Sequence, residues 1–371
     1  MSWSELDQLN SQMVYEMRKI SLKALKGNEK LAMDLISESG IILMSKGSTI
    51  KKEYISRLKE LSIDYLYIED ELSKGVKVDE ILEIQIKEQC QKTVKDILER
   101  FTYSAASELQ TLTCVAEEII LDILEEPEVM YNISGVRKKS ESTYAHCVNV
   151  CTLSVLVAIK MKLPANKVRE IAIGSLLHDI GYNYIAKDYS DVDMSTLNPN
   201  EIREIKKHVI YGYSAVEKEA WLSSVSKDII LTHHERIDGS GYPFHLNDDR
   251  IKLGSKIVAV CDEFDSKVYG FYTDKLKVHE TIEYIMSLSG IKYDFSVVKI
   301  FYESVAAYPN GTTVITNEGE TGIVLRQNRK CPTRPIIRIV IDKDGNNCNE
   351  WIEKDLTKDL TLFINDTIES Y

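Results

Sequence analysis

Spacing of the apolar positions changes three times along the chain. From Ile20 to about Glu69 the apolar runs are short: Ile41-Ile42-Leu43-Met44, a turn at Lys46-Gly47-Ser48-Thr49, a helix-like Lys51 to Leu61, and a strand at Tyr65-Leu66-Tyr67-Ile68. This pattern predicts a small α+β module over residues 1–75. Between 76 and 129 the apolar residues recur at helical spacing, Ile81 with Ile84, then Val94, Ile97, Leu98 and Phe101, with abundant charge between them. A helical connector, or the first helices of the central domain, is expected there. Residues 130–310 are helical with few strand signals. After Pro309 the strand texture returns in Thr312-Thr313-Val314-Ile315, Gly322-Ile323-Val324-Leu325 and Pro335 to Ile341, with turn signals at Asn317 to Glu320 and Lys343-Asp344-Gly345. The expected fold is mainly α: a helical bundle with a small α+β N-terminal module and a β-rich C-terminal extension over 311–371.

Within the bundle the pattern predicts five helices that carry ligand-type side chains. His146 opens one that runs to about Lys162. Val168 to His178 forms a second, with Gly181 placed to stop it. Asn200 can cap a third from Glu201 to Glu219, carrying His208; Lys227 to Arg236 makes a fourth, carrying His233 and His234; Leu253 to Tyr269 makes a fifth, carrying Asp262 and Asp265. Pro164, Pro199 and Pro243 fall where turns are expected. The helices read as a bundle with ligands facing inward.

Composition narrows the class. A chain of 371 residues exceeds one typical core and suits two or three domains, and 44% apolar with 28% charged residues is ordinary for a globular protein. The longest apolar run, about Val148 to Leu163, is broken by Asn149 and Lys160, so no membrane span is expected. The start, Met-Ser-Trp-Ser-Glu-Leu-Asp, lacks the basic and apolar blocks of a secretory signal, and a cytoplasmic location is expected. Seven irregularly spaced cysteines without Cys-x-x-Cys argue against a disulfide framework or a thiolate zinc site; Cys147 and Cys151, one turn apart beside His146, read as small packed residues. A net charge of −12 speaks against wrapping long nucleic acid. It leaves room for a small phosphorylated ligand in a metal-lined pocket.

All seven histidines lie between His146 and His279, and Leu231 to Pro243, Leu-Thr-His-His-Glu-Arg-Ile-Asp-Gly-Ser-Gly-Tyr-Pro, runs four potential ligands into a Gly-rich turn. A bridged metal pair needs neutral imidazoles and a carboxylate able to span both ions, and Asp179 beside His178 suits the second task. Adjacent helical residues point about 100° apart, so an adjacent pair more naturally touches two ions than one unless the chain distorts at the helix end. The same logic applies to His233 and His234. His146, His208 and Asp262 come from three other helices.

In this order His146, His178-Asp179, His208, His233-His234-Glu235-x-x-Asp238-Gly239-x-Gly241-Tyr242-Pro243 and Asp262 resemble the signature of the HD-GYP domain, a branch of the HD metal-dependent phosphohydrolase superfamily, over about residues 130–310. The N-terminal module is similar to regulatory segments found ahead of such domains in bacteria, and Tyr308-Pro309-x-Gly311-Thr312 resembles the β-rich tail that often follows. The resemblance implies an HD-type helical bundle that holds two divalent transition metals, iron or manganese, and hydrolyses cyclic di-GMP to pGpG and GMP. Carried over, His146, His178, Asp179 and Asp262 would hold the first ion. Asp179, His208, His233 and His234 would hold the second, with Asp179 bridging and positioning the attacking hydroxide. Some relatives bind a third metal through a Glu one turn before the first His; here that position is Ser142, so two are expected. The Gly239-Ser240-Gly241-Tyr242-Pro243 turn would wall the pocket, its glycines allowing the backbone close to the ligand. A homodimer or a signalling partner through the N-terminal module is a further expectation.

Three positions depart from the family. Tyr182 stands where Lys usually follows His-Asp-Ile-Gly, and Phe271 and Asp274 stand where the family places cations after the last metal Asp. Those cations pair with substrate phosphate in relatives, in contacts worth roughly 1.5–3 kcal/mol each. Lys187, Arg236 and Lys267 are the candidates to compensate. Two readings stay open: a working phosphodiesterase with a modified pocket, and a domain that binds metal and nucleotide without turnover and acts as a signalling or interaction protein.

Overall fold

The strand-forming ends of the chain fold together, and the helical middle folds by itself. The computed structural model describes residues 16–36, 42–60, 63, 65–78, 84–104, 109–125, 130–131, 143–187, 196–271, 273–328 and 330–368. The chain divides into two units, Met1–Asp79 with Tyr308–Tyr371, and Glu80–Ala307.

In the first unit, β1 (Arg18–Ser21), β5 (Tyr65–Glu69) and β2 (Lys30–Leu31) form an antiparallel sheet in the order β1-β5-β2, beside a β3 (Leu35–Ile36) and β4 (Ile42–Met44) pair and the helix α1 (Lys52–Glu60). Ile41 and Leu61, at the edges of expected elements, lie outside the described residues. The C-terminal strands β6 (Thr313–Thr316), β7 (Thr321–Arg326), β8 (Ile336–Ile341), β9 (Asn347–Asp355) and β10 (Ile364–Thr367) make a second antiparallel sheet in the order β10-β6-β7-β8-β9. The predicted turns sit at Gly319 and Gly345, both at φ +84°. The pattern missed β9 and β10, which form the two edges of the sheet; β9, Asn-Cys-Asn-Glu-Trp-Ile-Glu-Lys-Asp, is too polar to read as a strand. Sequence reading keeps the two ends of the chain as separate pieces, but in the structure they share one core. Met17, Ala32, Tyr67, Val76 and Val78 pack with Ile323, Leu325 and Val340. A three-stranded sheet of this size cannot bury its own apolar face. The buried Arg338 of β8 adds hydrogen bonds to the carbonyls of Leu72 and Lys74 and stacks on Trp351, 4.2 Å from the ring centre.

The second unit is built on α4 (Thr143–Lys160). Around it lie α2 (Ile84–Ser104), α3 (Leu112–Glu125), α5 (Ala165–Leu177) and α9 (Leu253–Tyr269), and the unit is completed by α6 (Pro199–Lys206), α7 (His208–Val216), α8 (Ser224–Thr232), α10 (Val278–Ser287) and α11 (Phe295–Tyr302). Ile81, read as the start of the connector helix, lies outside the described residues. Every α4 residue from Ala145 to Ala158 is buried, Cys147 and Cys151 included, as expected of a helix that is apolar all round. It is also the one helix among the described residues long and apolar enough to cross a membrane, with 78% of that window buried inside the fold.

Three helix boundaries differ from the sequence reading. Gly181 does not stop α5: it lies within the 3-10 turn Ile180–Tyr184, and a Cβ there would run into the His208 carbonyl and come within 2.7 Å of the Gly212 nitrogen. Its role is close approach to α7. The third helix is two, broken at Lys207, and its cap is Asn198 rather than Asn200. The Asn198 side chain accepts from the backbone N–H groups of Asn200 and Glu201, Glu201 returns a bond to Asn198, and Pro199 takes the first helical position. The fourth starts earlier, capped by Ser223, and stops at Thr232, so His233 and His234 lie past its last turn. The fifth spans Leu253–Tyr269 as expected and ends on Gly270 at φ +73°.

Candidate metal centre

Three helices end at the site. The histidine just beyond each bends back over the last turn: His178 Nδ1 is 2.7 Å from the Ser175 carbonyl, His208 Nδ1 is 2.8 Å from that of Ile205, and His233 Nδ1 is 3.0 Å from that of Ile229. A carbonyl only accepts, so each Nδ1 carries the proton and each Nε2 keeps a lone pair. The final carbonyls of a helix have no partner within it, so these imidazoles complete the helix ends while turning Nε2 inward. His178 Nε2 is 3.3 Å from His146 Nε2, and His208 Nε2 is 3.4 Å from His233 Nε2. Helix C-termini carry partial negative charge, which favours a cation where they converge.

Asp179 lies between two sets of imidazoles. Its Oδ2 is 3.4 Å from His178 Nε2 and 3.7 Å from His146 Nε2, while its Oδ1 is 3.4 Å from His208 Nε2 and 3.7 Å from His233 Nε2. Asp262 closes the ring, with Oδ1 at 3.1 Å from His146 Nε2 and Oδ2 at 3.5 Å from His234 Nδ1. Two ligand groups result, His146 with His178 and Asp179, and Asp179 with His208, His233 and His234, the ligand atoms of each within 4.8 Å of one another. Six of the seven residues expected as ligands fall in these groups, and Asp262, expected with the first, lies outside both but against His146 and His234. His233 and His234 join one group because the chain leaves the helix at His233, so the ~100° helical offset no longer separates them. Imidazoles with inward lone pairs and two buried carboxylates form a donor set suited to divalent transition metals. Ser142, the third-metal position, lies outside the described residues.

Two supporting residues were not assigned from the sequence. Asp265 Oδ2 accepts from His146 Nδ1 at 2.7 Å, and Asn149 Nδ2 donates to Asp265 Oδ1 at 2.7 Å. Their signal is spacing: each lies three residues past a ligand on the same helix, on the same face. The charges follow from this packing. Burial lowers the affinity of His146 for a proton, but hydrogen bonds to Asp262 and Asp265 outweigh it and push the pKa up to about 10. Burial takes His208 down to about 4 and also depresses His178 and His234. Burial opposes the charge of Asp179 and Asp262, yet the surrounding histidines, His178 foremost at Asp179 and His146 at Asp262, hold both below the carboxylate range.

The expected pocket wall is held by its own chain. Glu235 is buried and accepts from the backbone N–H groups of Phe244 (2.7 Å) and Leu246 (2.9 Å), and Ser240 is tied to Asp238 Oδ1 through both its N–H and its hydroxyl. The bare face of Gly241 is turned to the backbone of His234, Glu235 and Arg236, and that of Gly239, at φ +77°, to Asn247, so the chain's own packing accounts for both glycines. The half-buried Pro243 follows a cis peptide, and Tyr242 stacks on His234 with ring centres 4.7 Å apart. Two of the three departures from the family lie against histidines of the centre. Tyr182 stacks on His208 at 4.2 Å and 11°, and Phe271 lies 4.8 Å from the His146 ring; Asp274 is exposed beyond α9. The compensating cations face acids: Arg236 pairs with Glu263 at 3.0 Å and donates to the His233 carbonyl, Lys267 lies 3.7 Å from the same Glu263, and the exposed Lys187 pairs with Glu201 at 2.7 Å.

Residues 128–297 match the family described as HD domain, and 313–371 match a KOW domain associated with HD domain. The chain is 30% identical over 226 residues to a cyclic di-GMP phosphodiesterase of Pseudomonas aeruginosa, covering 61% of this chain and 54% of that protein. It is 33% identical over 187 residues to a cyclic di-GMP phosphodiesterase of Thermotoga maritima, covering 50% and 49%, and 27% identical over 230 residues to a 3'3'-cGAMP-specific phosphodiesterase of Vibrio cholerae, covering 61% and 43%. The chain thus spans about half the length of these curated relatives. Among solved structures, an HDG"Y"P protein of Bdellovibrio bacteriovorus shares the fold at a TM-score of 0.52 and 18% identity, over 77% of this chain and 98% of that one. Residues 128–297 are thus an HD domain, and their histidines and aspartates are gathered as the HD-GYP motif requires.

Proposed function

We propose that the centre holds two divalent transition metals, iron or manganese, and that the chain hydrolyses cyclic di-GMP to pGpG and GMP. The observation that carries this reading is Asp179, whose two carboxylate oxygens face different histidine sets. Two ions held there would supply positive charge to an attacking water and to the phosphoryl oxygens that gain charge during in-line displacement. The chain's own part is orientation. Backbone carbonyls fix the tautomers of His178, His208 and His233, Asp265 fixes His146, and Tyr182, Tyr242 and Phe271 hold three imidazoles from the side. The names of the Pseudomonas and Thermotoga relatives support cyclic di-GMP as substrate, and the Vibrio relative makes 3'3'-cGAMP the comparator.

One observation favours the second reading, a metal-binding signalling domain without turnover: aromatic rings occupy two of the positions where a phosphate clamp is expected. Protein loaded anaerobically with iron or manganese and given each dinucleotide distinguishes the two. The expected result is about two metals per chain and pGpG from cyclic di-GMP. Asp179→Ala should lose both metal and turnover, since without a shared carboxylate the two cations repel. Metal-loaded protein that binds cyclic di-GMP without cutting it would establish the signalling reading, and failure to take up metal would overturn both.

A further inference from the structure

A cyclic dinucleotide carries two phosphodiesters on one macrocycle, and a metal centre of this kind engages one of them. The other brings its negative charge to the mouth of the site. The rings against the centre's histidines, Tyr182, Tyr242 and Phe271, offer it no charge. The cations first expected there are committed: Arg236 and Lys267 share Glu263, and Lys187 pairs with Glu201 at 2.7 Å. Lys207, which was not among them, pairs with Glu204 at 2.7 Å.

Lys206 differs from all of these. It is the last residue of α6, two positions before the ligand His208, and it is exposed. Among the described residues its ammonium has no carboxylate partner; it lies 5.1 Å over the ring of Tyr242, which itself stacks on the ligand His234 at 4.7 Å. These spacings place the ammonium within about 10 Å of the His234 ring, one Debye length at ~0.1 M salt, so its charge is felt at the centre. A contact between an exposed ammonium and a ring is weak, and a charge-assisted bond to phosphate is stronger. The lysine can therefore leave the ring for an anion without breaking an ion pair.

We propose that Lys206 Nζ binds the second, uncleaved phosphate of a cyclic dinucleotide while the first occupies the metal centre, with Tyr242 as the surface that aims it. The proposal rests on the function proposed above. It moves the positive side of the mouth from the segment after α9 to the end of α6.

The test compares metal-loaded wild type with Lys206→Ala, Lys206→Arg and Lys207→Ala on two substrates: cyclic di-GMP, and bis(p-nitrophenyl) phosphate, which has a single phosphodiester. Lys206→Ala should raise the KM for cyclic di-GMP roughly tenfold with kcat changed less than about twofold, and leave the single phosphodiester and the metal content untouched. Lys206→Arg should restore KM, Lys207→Ala should leave it alone, and the rise of wild-type KM with salt should flatten in Lys206→Ala. Equal losses on both substrates, or lost metal, would mean that Lys206 merely supports His208, and the proposal falls. An unchanged KM sinks it while the phosphodiesterase reading stands. If wild type cuts neither substrate, the activity reading fails, and calorimetric binding of cyclic di-GMP decides about Lys206: weaker binding by Lys206→Ala upholds it, and equal or absent binding overturns it.

Discussion

A proton and a metal ion compete for the same nitrogen at His146. Burial works against the charged ring, but Asp262 and Asp265 raise its pKa to about 10, so metal-free protein at pH 7 holds protons on both ring nitrogens. Metal must displace the one on Nε2. Uptake near pH 7 should therefore release about one proton, and apparent affinity should climb with pH until His146 titrates near 10. His208, already down to about 4, holds no proton to release above pH ~5. Calorimetric metal titrations in buffers of different ionisation heat measure the count, and a pH-independent affinity between 7 and 9 would contradict the assignment. At this scale the seven residues that gather at the centre were legible, because histidines and aspartates at helix ends and in adjacent pairs have few other uses. Asp265 was read as a ligand-type side chain without a role and Asn149 only as a break in an apolar run, since what an acid or amide one turn from such a residue does is fixed only when a partner helix is set against it. Tyr182 and Phe271 were legible only as missing cations; that Tyr182 stacks on His208 and Phe271 lies tilted against His146 depends on how closely their elements pack.

Among the elements, the tight crossing of the Ile180–Tyr184 turn and α7 is the place where one methyl group does most damage. In Gly181→Ala the new Cβ meets backbone at His208 and Gly212, which has no rotamer to yield. The substitution should cost about 3 kcal/mol and displace His208 from the centre. Urea unfolding with metal analysis of the folded fraction tests this; a variant of unchanged midpoint and full metal content would refute the crossing. The sequence showed a glycine after a helix but not its purpose, because a helix stop and a close approach call for the same residue. The five helices read in the middle of the chain exist, one of them as two, but α10 and α11 were not read. Nor was the break at Lys207, because apolar spacing continues across it and only the Asn198-Pro199 cap marks where α6 begins.

For the whole molecule, the two ends of the chain stand or fall together. Removing residues 308–371 takes Ile323, Leu325 and Val340 out of the core shared with Met17, Tyr67 and Val76, each worth roughly 2 kcal/mol of burial, and takes Arg338 from its two carbonyl partners. The N-terminal strands should then lose their hydrogen-exchange protection, while α4, α5 and α9 keep theirs. Persistent slow exchange in β1 and β5 would show that the module stands alone, as the sequence suggests. Long-range pairing of this kind leaves no periodic trace: each end reads as a plausible small unit, and only the sum of their apolar faces shows that neither is complete.

The convergence of helix ends on one point gives bound ions a second office. His146 and Asp262 are 116 residues apart in the chain, with the other ligands between them. Ions seated there would act as a reversible staple on that long loop, as a disulfide does in other proteins. No fragment of the domain can form the seat, because its walls come from five helices, so the free energy of ion capture accrues only to the finished fold. Metal supply would thereby act as a proofreader: chains that dock their helices around ions would open less often, and those made in scarcity more often.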